Sequence, residues 1–147
     1  MIVYIDSSAL IRSYLPDEPD HNDVRALLDD VKTATISGSW TRIEVTGALV
    51  RAARSNRVRA ERVLELFHRD TAPSNGPLLL VDALQADIEG LALQMVRSSG
   101  IRSMDAGHLA CASIAFDNLA EPGEERGFAT RDAEQAAVAK ELGYTIV

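Results

Sequence analysis

The sequence has few residues that would cross-link a protein or insert it into a membrane. It is 147 residues long and contains one cysteine, Cys111, which excludes an internal disulfide or a cysteine-based metal site. No uninterrupted apolar run reaches the roughly 18 residues that span a bilayer, and the first residues lack the basic segment and long apolar core of a signal peptide. We therefore expect a cytoplasmic protein with a buried, reduced cysteine and no membrane segment.

Positive charge is also scarce. Lysine occurs only at Lys32 and Lys140, and the net charge of −7 argues against non-specific binding to nucleic acid. Arginine is concentrated in the segment 51–62, RAARSNRVRAER, which we call the basic band. Its five arginines are Arg51, Arg54, Arg57, Arg59 and Arg62. The band is either a solvated helix face or a surface that contacts phosphates or a partner.

Short apolar runs alternate with segments of helical spacing. The runs that read as strands are 2–5, 34–37, 77–82, 127–130 and 144–147. Such alternation predicts an α/β domain with a mainly parallel sheet. No linker or repeat divides the chain, so we expect one domain over residues 1–147, long enough to bury roughly 70% of its unfolded surface.

Four acids lie where a parallel sheet gathers its ligands, beyond the carboxyl ends of the strands. Two follow strands directly and two lie in the first turns of predicted helices: Asp6, Asp132, Asp105 and Glu44. Each has an ordinary explanation when taken alone. Asp6 can cap the next helix, with Ser7 or Ser8 as rival caps, and acids near helix N-termini are favoured by the macrodipole. A glutamate on a helix usually faces solvent.

The ordinary explanations weaken when the four acids are taken together. Carboxylates that converge repel one another at neutral pH unless a cation neutralises them. An all-oxygen site suits Mg²⁺ or Mn²⁺ rather than zinc. Divalent ions held by carboxylates activate water and neutralise charge on a phosphoryl group, so the pattern favours phosphodiester cleavage.

Four segments carry a resemblance to a known family. MIVYIDSSAL, TRIEVTGAL, RSMDAGHLA and FATRDAEQ, in this order, resemble the PIN-domain ribonucleases, and among them the VapC toxins of type II toxin–antitoxin systems. The likeness extends from Ile2 to Val147. It implies a PIN-like three-layer α/β/α domain with a mainly parallel sheet of about five short strands.

The resemblance also implies roles for individual residues. The acids that bind the metal and catalyse the reaction would be Asp6, Glu44, Asp105 and Asp132. Asp6 and Asp105 would be the firmest ligands. Ser7 and Thr130 correspond to hydroxyls beside the first and last acids, and His108 matches a recurrent histidine for which we favour a structural role.

One part of the chain departs from the family pattern. The stretch between Asp105 and Asp132 is long, and the surplus falls in DNLAEPGEERG, 117–127. Asp117 is therefore a rival for the last acid. On a continuous helix, however, it would lie about 18 Å from Asp105, whereas GFATRD keeps strand, hydroxyl and acid together, which favours Asp132.

The activity implied by the resemblance is a Mg²⁺-dependent endoribonuclease, with Mn²⁺ as a possible substitute, that leaves 5′-phosphate and 3′-hydroxyl ends. Single-stranded or loop RNA is the expected substrate. Arg51, Arg54 and Arg57 are candidates to hold flanking phosphates. The expected protein partners are a cognate antitoxin that inhibits the enzyme and a second copy of the chain, as a homodimer or within a toxin–antitoxin hetero-oligomer.

Two other classes of function remain as alternatives. A phosphate-signalling receiver domain also has an acidic pocket and Mg²⁺, but it needs paired acids after the first strand and a lysine after a late one. The segment DSS offers one acid, and neither lysine is placed for that role. A PIN fold that serves as a non-catalytic binding or regulatory module is the second alternative.

Overall fold

The computed structural model describes residues 1–147 and shows a three-layer α/β/α fold, which confirms the expected fold class. The five strands are β1 (Ile2–Ile5), β2 (Ala34–Gly38), β3 (Leu78–Val81), β4 (Arg126–Ala129) and β5 (Thr145–Ile146). The seven helices are α1 (Ser7–Arg12), α2 (His21–Asp29), α3 (Thr41–Arg54), α4 (Ala60–Asp70), α5 (Gln85–Ser99), α6 (Ser103–Leu119) and α7 (Ala133–Glu141).

The sheet has the strand order β3-β2-β1-β4-β5, and every neighbouring pair is parallel. The chain runs outward from β1 through β2 to β3 and later returns to the other side of β1 as β4. The order therefore reverses between β1 and β4, where Ile5 is paired with Ala129. In such sheets the crevice beyond the carboxyl ends at this switch point is the usual ligand site.

The alternation of side chains along β1 separates two hydrophobic cores. All four residues of β1 are buried. Val3 and Ile5 pack into the core that includes residues of α1 to α4, whereas Ile2 and Tyr4 pack into the core that includes residues of α6 and α7. Because successive side chains of a strand point to opposite faces, a continuous apolar strand indicates a sheet covered by helices on both faces.

Two helices end at glycines, and the polar insertion forms a short connection between α6 and β4. Gly100 ends α5 in the left-handed region, with φ of 71°, and Gly143 follows α7 with φ of 86°. Helix α6 continues to Leu119, and β4 already begins at Arg126, so the polar surplus is reduced to a short turn. None of the helices combines the length and the apolar character that crossing a bilayer requires.

Candidate active site

Asp6 lies at the switch point, immediately after β1. Its backbone N–H donates to the carbonyl oxygen of Ala129, and its side chain is 2% exposed. Asp6 is also the N-cap of α1, because its Oδ1 accepts a hydrogen bond of 2.9 Å from the backbone N–H of Ala9. The capping role expected as an alternative is thus real, but it satisfies only part of a buried carboxylate.

Two hydroxyls complete the surroundings of Asp6. Ser8 Oγ lies 2.8 Å from Oδ1 and 3.0 Å from Oδ2, and Thr130 Oγ1 lies 3.0 Å from Oδ2. The hydroxyl that bonds Asp6 belongs to Ser8 and not to Ser7, the residue that the resemblance places beside the first acid. Ser7 is the first residue of α1 and makes no side-chain hydrogen bond, whereas Ser8, one residue further into the helix, reaches back to the cap.

No cation neutralises Asp6. All its direct partners are neutral donors, and no arginine, lysine or histidine forms an ion pair with it. Burial raises the pKa of the Asp6 carboxyl, opposed by the hydrogen bond from Ala9 and by the proximity of His108. The charged form of Asp6 is therefore destabilised in this site and would gain most from a bound cation.

Asp105 and Asp132 are joined by one guanidinium. Arg102 Nε donates to Asp105 Oδ2 at 2.8 Å, and Arg102 Nη2 donates to Asp132 Oδ2. Asp105 lies in the first turn of α6, and Asp132 caps α7 by accepting from the backbone N–H of Gln135 at 2.9 Å. The Arg102 side chain is 67% exposed, so it can leave without disturbing the core.

Glu44 is oriented by a buried hydrogen-bond chain. His108 Nε2 lies 2.8 Å from Glu44 Oε2, and His108 Nδ1 lies 3.0 Å from the hydroxyl of Tyr4. Burial raises the pKa of Tyr4 well above its ordinary value, so the hydroxyl stays protonated. It accepts a hydrogen bond from the N–H of Gly38 and donates one to His108 Nδ1. His108 Nε2 then carries the proton that Glu44 accepts, which is a positioning role for the histidine.

Gln135 links the separate parts of the site. Its Oε1 lies 2.5 Å from Thr130 Oγ1, and its Nε2 donates to the backbone carbonyl of Asp105 at 3.2 Å. Gln135 and Arg102 were not predicted from the sequence, and Ser8 was considered only as a helix cap. For Gln135 a signal existed, because Asp132-x-x-Gln135 has the spacing of a capping box. For Arg102 the sequence gives only its separation of three residues from Asp105.

The structure brings the four predicted acids to the same edge of the sheet but not into one coordination sphere. No group of three or more His, Cys, Asp or Glu side chains is disposed to hold a metal ion. The members of the set differ in their partners: neutral donors hold Asp6, Arg102 holds Asp105 and Asp132, and His108 holds Glu44.

The chemistry of these donors fits a hard divalent cation, because carboxylate oxygens are the ligands that Mg²⁺ and Mn²⁺ prefer. The obstacle is the exposed guanidinium of Arg102, which stands as the counter-charge of two of the four acids. Arg102 would have to leave Asp105 and Asp132 before either carboxylate could bind a metal ion.

The rival acid Asp117 lies elsewhere. It pairs with Arg126 at 3.0 Å, and Arg126 is the first residue of β4, at the amino end of the sheet. Asp132 follows the opposite, carboxyl end of the same strand. The position of Asp132 beside Thr130 and Arg102 thus agrees with the choice made from the motif GFATRD.

The three arginines proposed for RNA contacts differ. Arg57 is engaged on the surface, with Nε 2.7 Å from Asp17 and Nη2 2.6 Å from Glu18. Arg51 and Arg54 are exposed on the last turns of α3 and form no ion pair. Arg51 lies two helical turns beyond Glu44 on the same helix. Because Arg51 and Arg54 form no ion pair, they are free to contact a phosphate, whereas Arg57 is not.

Comparison with protein-family models and with curated proteins gives no indication of what this site does. No protein-family model matches the chain, and no curated protein sequence matches it. The chemistry of the chain's own residues is therefore the basis for a functional proposal.

Proposed function

We propose that the protein is a metal-dependent endoribonuclease of the PIN-domain, VapC-like kind. The observation that carries the proposal is Asp6, a buried carboxylate without a cationic partner at the switch point of a parallel sheet. A buried carboxylate without a cationic partner destabilises the folded state, which makes it a candidate functional residue. Three further carboxylates at the same edge supply the remaining negative charge that a divalent cation needs.

Asp6, Glu44, Asp105 and Asp132 would hold Mg²⁺ or Mn²⁺. The ion would supply activation of water and neutralisation of charge on the phosphoryl group. The chain itself does three things for this chemistry. Ser8 and Thr130 fix the orientation of Asp6, and His108 fixes Glu44. Arg102 neutralises two acids until the cation replaces it.

RNA is the proposed substrate. Arg51 and Arg54 are exposed on the helix that carries Glu44, and they offer contacts to phosphates in a protein whose net charge is otherwise negative. Single-stranded RNA suits a site at an open sheet edge. The products would carry 5′-phosphate and 3′-hydroxyl ends, since water rather than the 2′-hydroxyl is the nucleophile.

The partners follow from the resemblance of the four segments. A cognate antitoxin that presents an arginine to the acids would neutralise them as Arg102 does in the isolated chain. A homodimer or a toxin–antitoxin hetero-oligomer in the cytoplasm is part of the same proposal.

A specific observation favours a second candidate, a PIN-fold module that binds without catalysis. Arg102 already neutralises Asp105 and Asp132, and no three ligands are preformed. In this case the acids would be a structural network, and neither Mn²⁺ binding nor RNA cleavage would be observed.

The test is cleavage of total RNA with Mg²⁺ or Mn²⁺ and with excess EDTA, followed by sequencing of 5′-phosphorylated ends. The wild-type protein should cleave with metal and stop in EDTA, and Asp6→Asn should lose at least about 1,000-fold of the rate, because several kcal/mol of charge stabilisation is removed. Asp117→Asn, an exposed acid at the other end of the sheet, is the matched control and should cleave as the wild type does. Full activity in EDTA, or equal loss in both variants, would contradict the proposal.

A further inference from the structure

A cavity of about 660 Å³ adjoins the candidate active site. Its walls come from α5, from α6 and from the segment 38–40 that precedes α3, and Tyr4 and Cys111 contribute to its inner surface. The volume lies within the range of small-molecule pockets. Most of the lining is apolar, although no function stated above uses an apolar cavity.

The cavity lies beside two of the helices that carry acids, α3 and α6. Trp40 lines the cavity and precedes Glu44 by one helical turn, with its carbonyl oxygen 3.4 Å from the Glu44 N–H. On α6, Met104 and Gly107 line the cavity on either side of Asp105 in the sequence. His108 also lines it and at the same time holds Glu44. A molecule in this cavity is therefore next to any group bound at the acids.

The charge of the lining selects the kind of ligand. No lysine or arginine lines the cavity, and the one carboxylate, Glu89, would repel a phosphate. Glu89 accepts a hydrogen bond of 2.9 Å from Gln85, and both side chains can bond to N–H groups of a ligand. The surroundings thus suit a neutral, flat ring with polar edges better than an anion.

Trp40 supplies the surface on which such a ring can stack. It is the only tryptophan of the chain and is 55% exposed, although large aromatic side chains are usually well buried. Unpaired bases of single-stranded RNA stack on aromatic side chains in this way.

We propose that the cavity is a nucleobase-binding subsite, in which a base of the nucleotide next to the cleaved phosphodiester stacks on Trp40. The inference rests on the proposed nuclease function. It divides the contacts of the RNA between two surfaces: the acids with Arg51 and Arg54 face the backbone, and the cavity takes one base. The subsite then contributes to substrate affinity and to the choice of cleavage position.

Gly107 offers a way to fill the cavity without disturbing the acids. A Cβ atom added there meets no other atom within 4 Å, and the residue lies in the helix interior. Gly90 on α5 is equally open, exposed and helical, but it does not line the cavity. Gly107→Leu and Gly90→Leu are therefore a matched pair, and replacement of a helical glycine favours the helix in both.

The experiment measures binding in EDTA, where no RNA is cleaved. A mixed-sequence RNA decamer and a decamer of the same backbone without bases are titrated into the wild-type protein, and the fluorescence of Trp40 is followed. Quenching by the decamer that carries bases, and none by the abasic one, supports the subsite. With a labelled decamer, Gly107→Leu and Trp40→Ala should weaken binding by about 5- to 100-fold, the range of one stacked base, whereas Trp40→Phe loses less and Gly90→Leu nothing.

Three results would overturn the inference. These are equal quenching by the abasic decamer, wild-type affinity of Gly107→Leu, or a Trp40 signal that changes with protein concentration without RNA, since a second copy would then cover the cavity. The nuclease proposal fails separately. RNA cleavage without base-dependent quenching removes the subsite alone, and base-dependent quenching without cleavage under any metal removes the nuclease alone.

Discussion

Two aspartates are buried in this protein, and they are buried in different ways. Asp70, at the end of α4, is 1% exposed and lies 2.5 Å from Arg25 Nη1, with the hydroxyl of Tyr14 at 3.2 Å. Asp6, at the end of β1, is as well buried but has only hydroxyls and one backbone N–H as partners. One carboxylate has its counter-charge within the chain, and the other has none.

The difference separates a structural acid from a functional one. A buried ion pair satisfies both charges and fixes the packing of α2 against α4, so Asp70 needs nothing from outside the chain. The charged form of Asp6 lacks this compensation, because neutral donors only partly offset the loss of hydration. Burial alone would not distinguish the two residues, but the identity of their partners does.

Removal of the Asp70 charge should damage the fold. Asp70→Asn leaves Arg25 without its buried partner and should lower the free energy of unfolding by about 3 kcal/mol. Urea unfolding measures this loss. Asp29→Asn is the control, since Asp29 is bound by the same Arg25 but is exposed, and its loss should stay below about 1 kcal/mol. Equal losses would remove the structural role assigned to Asp70.

Removal of the Asp6 charge should have the opposite sign and depend on pH. Burial raises the pKa of Asp6 in the folded chain, whereas the ordinary value is 3.8. Above about pH 4 the folded state then binds more protons than the unfolded state, so ionisation of Asp6 lowers stability as the pH rises through the raised pKa. Asn keeps the N-cap and cannot ionise.

Asp6→Asn should therefore gain stability over the wild type as the pH rises from 4 to 8, with almost no difference at pH 4. The measurement is urea unfolding of both proteins without metal at each pH. At pH 8 the same subtraction for Asp70→Asn should be negative. An Asp6→Asn advantage that shrinks as the pH rises would show that the charged form of Asp6 is stabilised within the chain.

Arg102 should behave as a removable counter-charge. Arg102→Ala frees Asp105 and Asp132, so Mn²⁺ should bind about 2- to 30-fold more tightly, the range expected for two exposed ion pairs. Calorimetric titration with Mn²⁺ measures the affinity. Arg97→Ala, another exposed arginine on a neighbouring helix, should leave it unchanged. Weaker metal binding after loss of Arg102 would mean that the arginine supports the site rather than competes for it.

The contrast between paired and unpaired charge extends to the basic band. Loss of both Arg51 and Arg54 should reduce the salt dependence of RNA binding by about 1.4 logarithmic units per logarithmic unit of salt, because each contact to single-stranded nucleic acid contributes about 0.7. Arg57→Ala should change the slope less, since Asp17 and Glu18 already engage Arg57. Filter binding over a salt series compares the variants, and an unchanged slope in the double variant would make the band a solvated face.

The sequence alone predicts the alternation of strands and helices and the location of the acids beyond the ends of the strands. Strand ends and helix starts are local signals, so the positions of Asp6 and Asp132 beyond two neighbouring strands followed from the parallel alternation alone. The glycines that end α5 and α7 are local signals of the same kind, because glycine readily adopts the left-handed conformation at a helix C-terminus.

Partners were harder to predict because they depend on side-chain geometry across elements. The choice of Ser8 over Ser7 depends on how the first turn of α1 is wound, and the Arg102 ion pairs need α6 and α7 to be adjacent. The cavity beside Trp40 is formed by α5, α6 and the residues that follow two strands, and it has no linear signature. These features decide whether a metal ion can bind, which is why four acids in a sequence predict a site but not its occupancy.

The most direct test of the account is Mn²⁺ binding to the wild-type protein and to Asp6→Asn, measured by calorimetric titration at pH 7.5 with Asp117→Asn, an exposed acid at the other end of the sheet, as a folded control. We expect the wild-type protein and Asp117→Asn to bind Mn²⁺ with the same affinity, and Asp6→Asn to bind at least about tenfold more weakly, because the ion loses one carboxylate ligand and its charge. Equal affinity in all three proteins, or no binding to the wild type, would show that the unpaired charge of Asp6 is not completed by a metal ion.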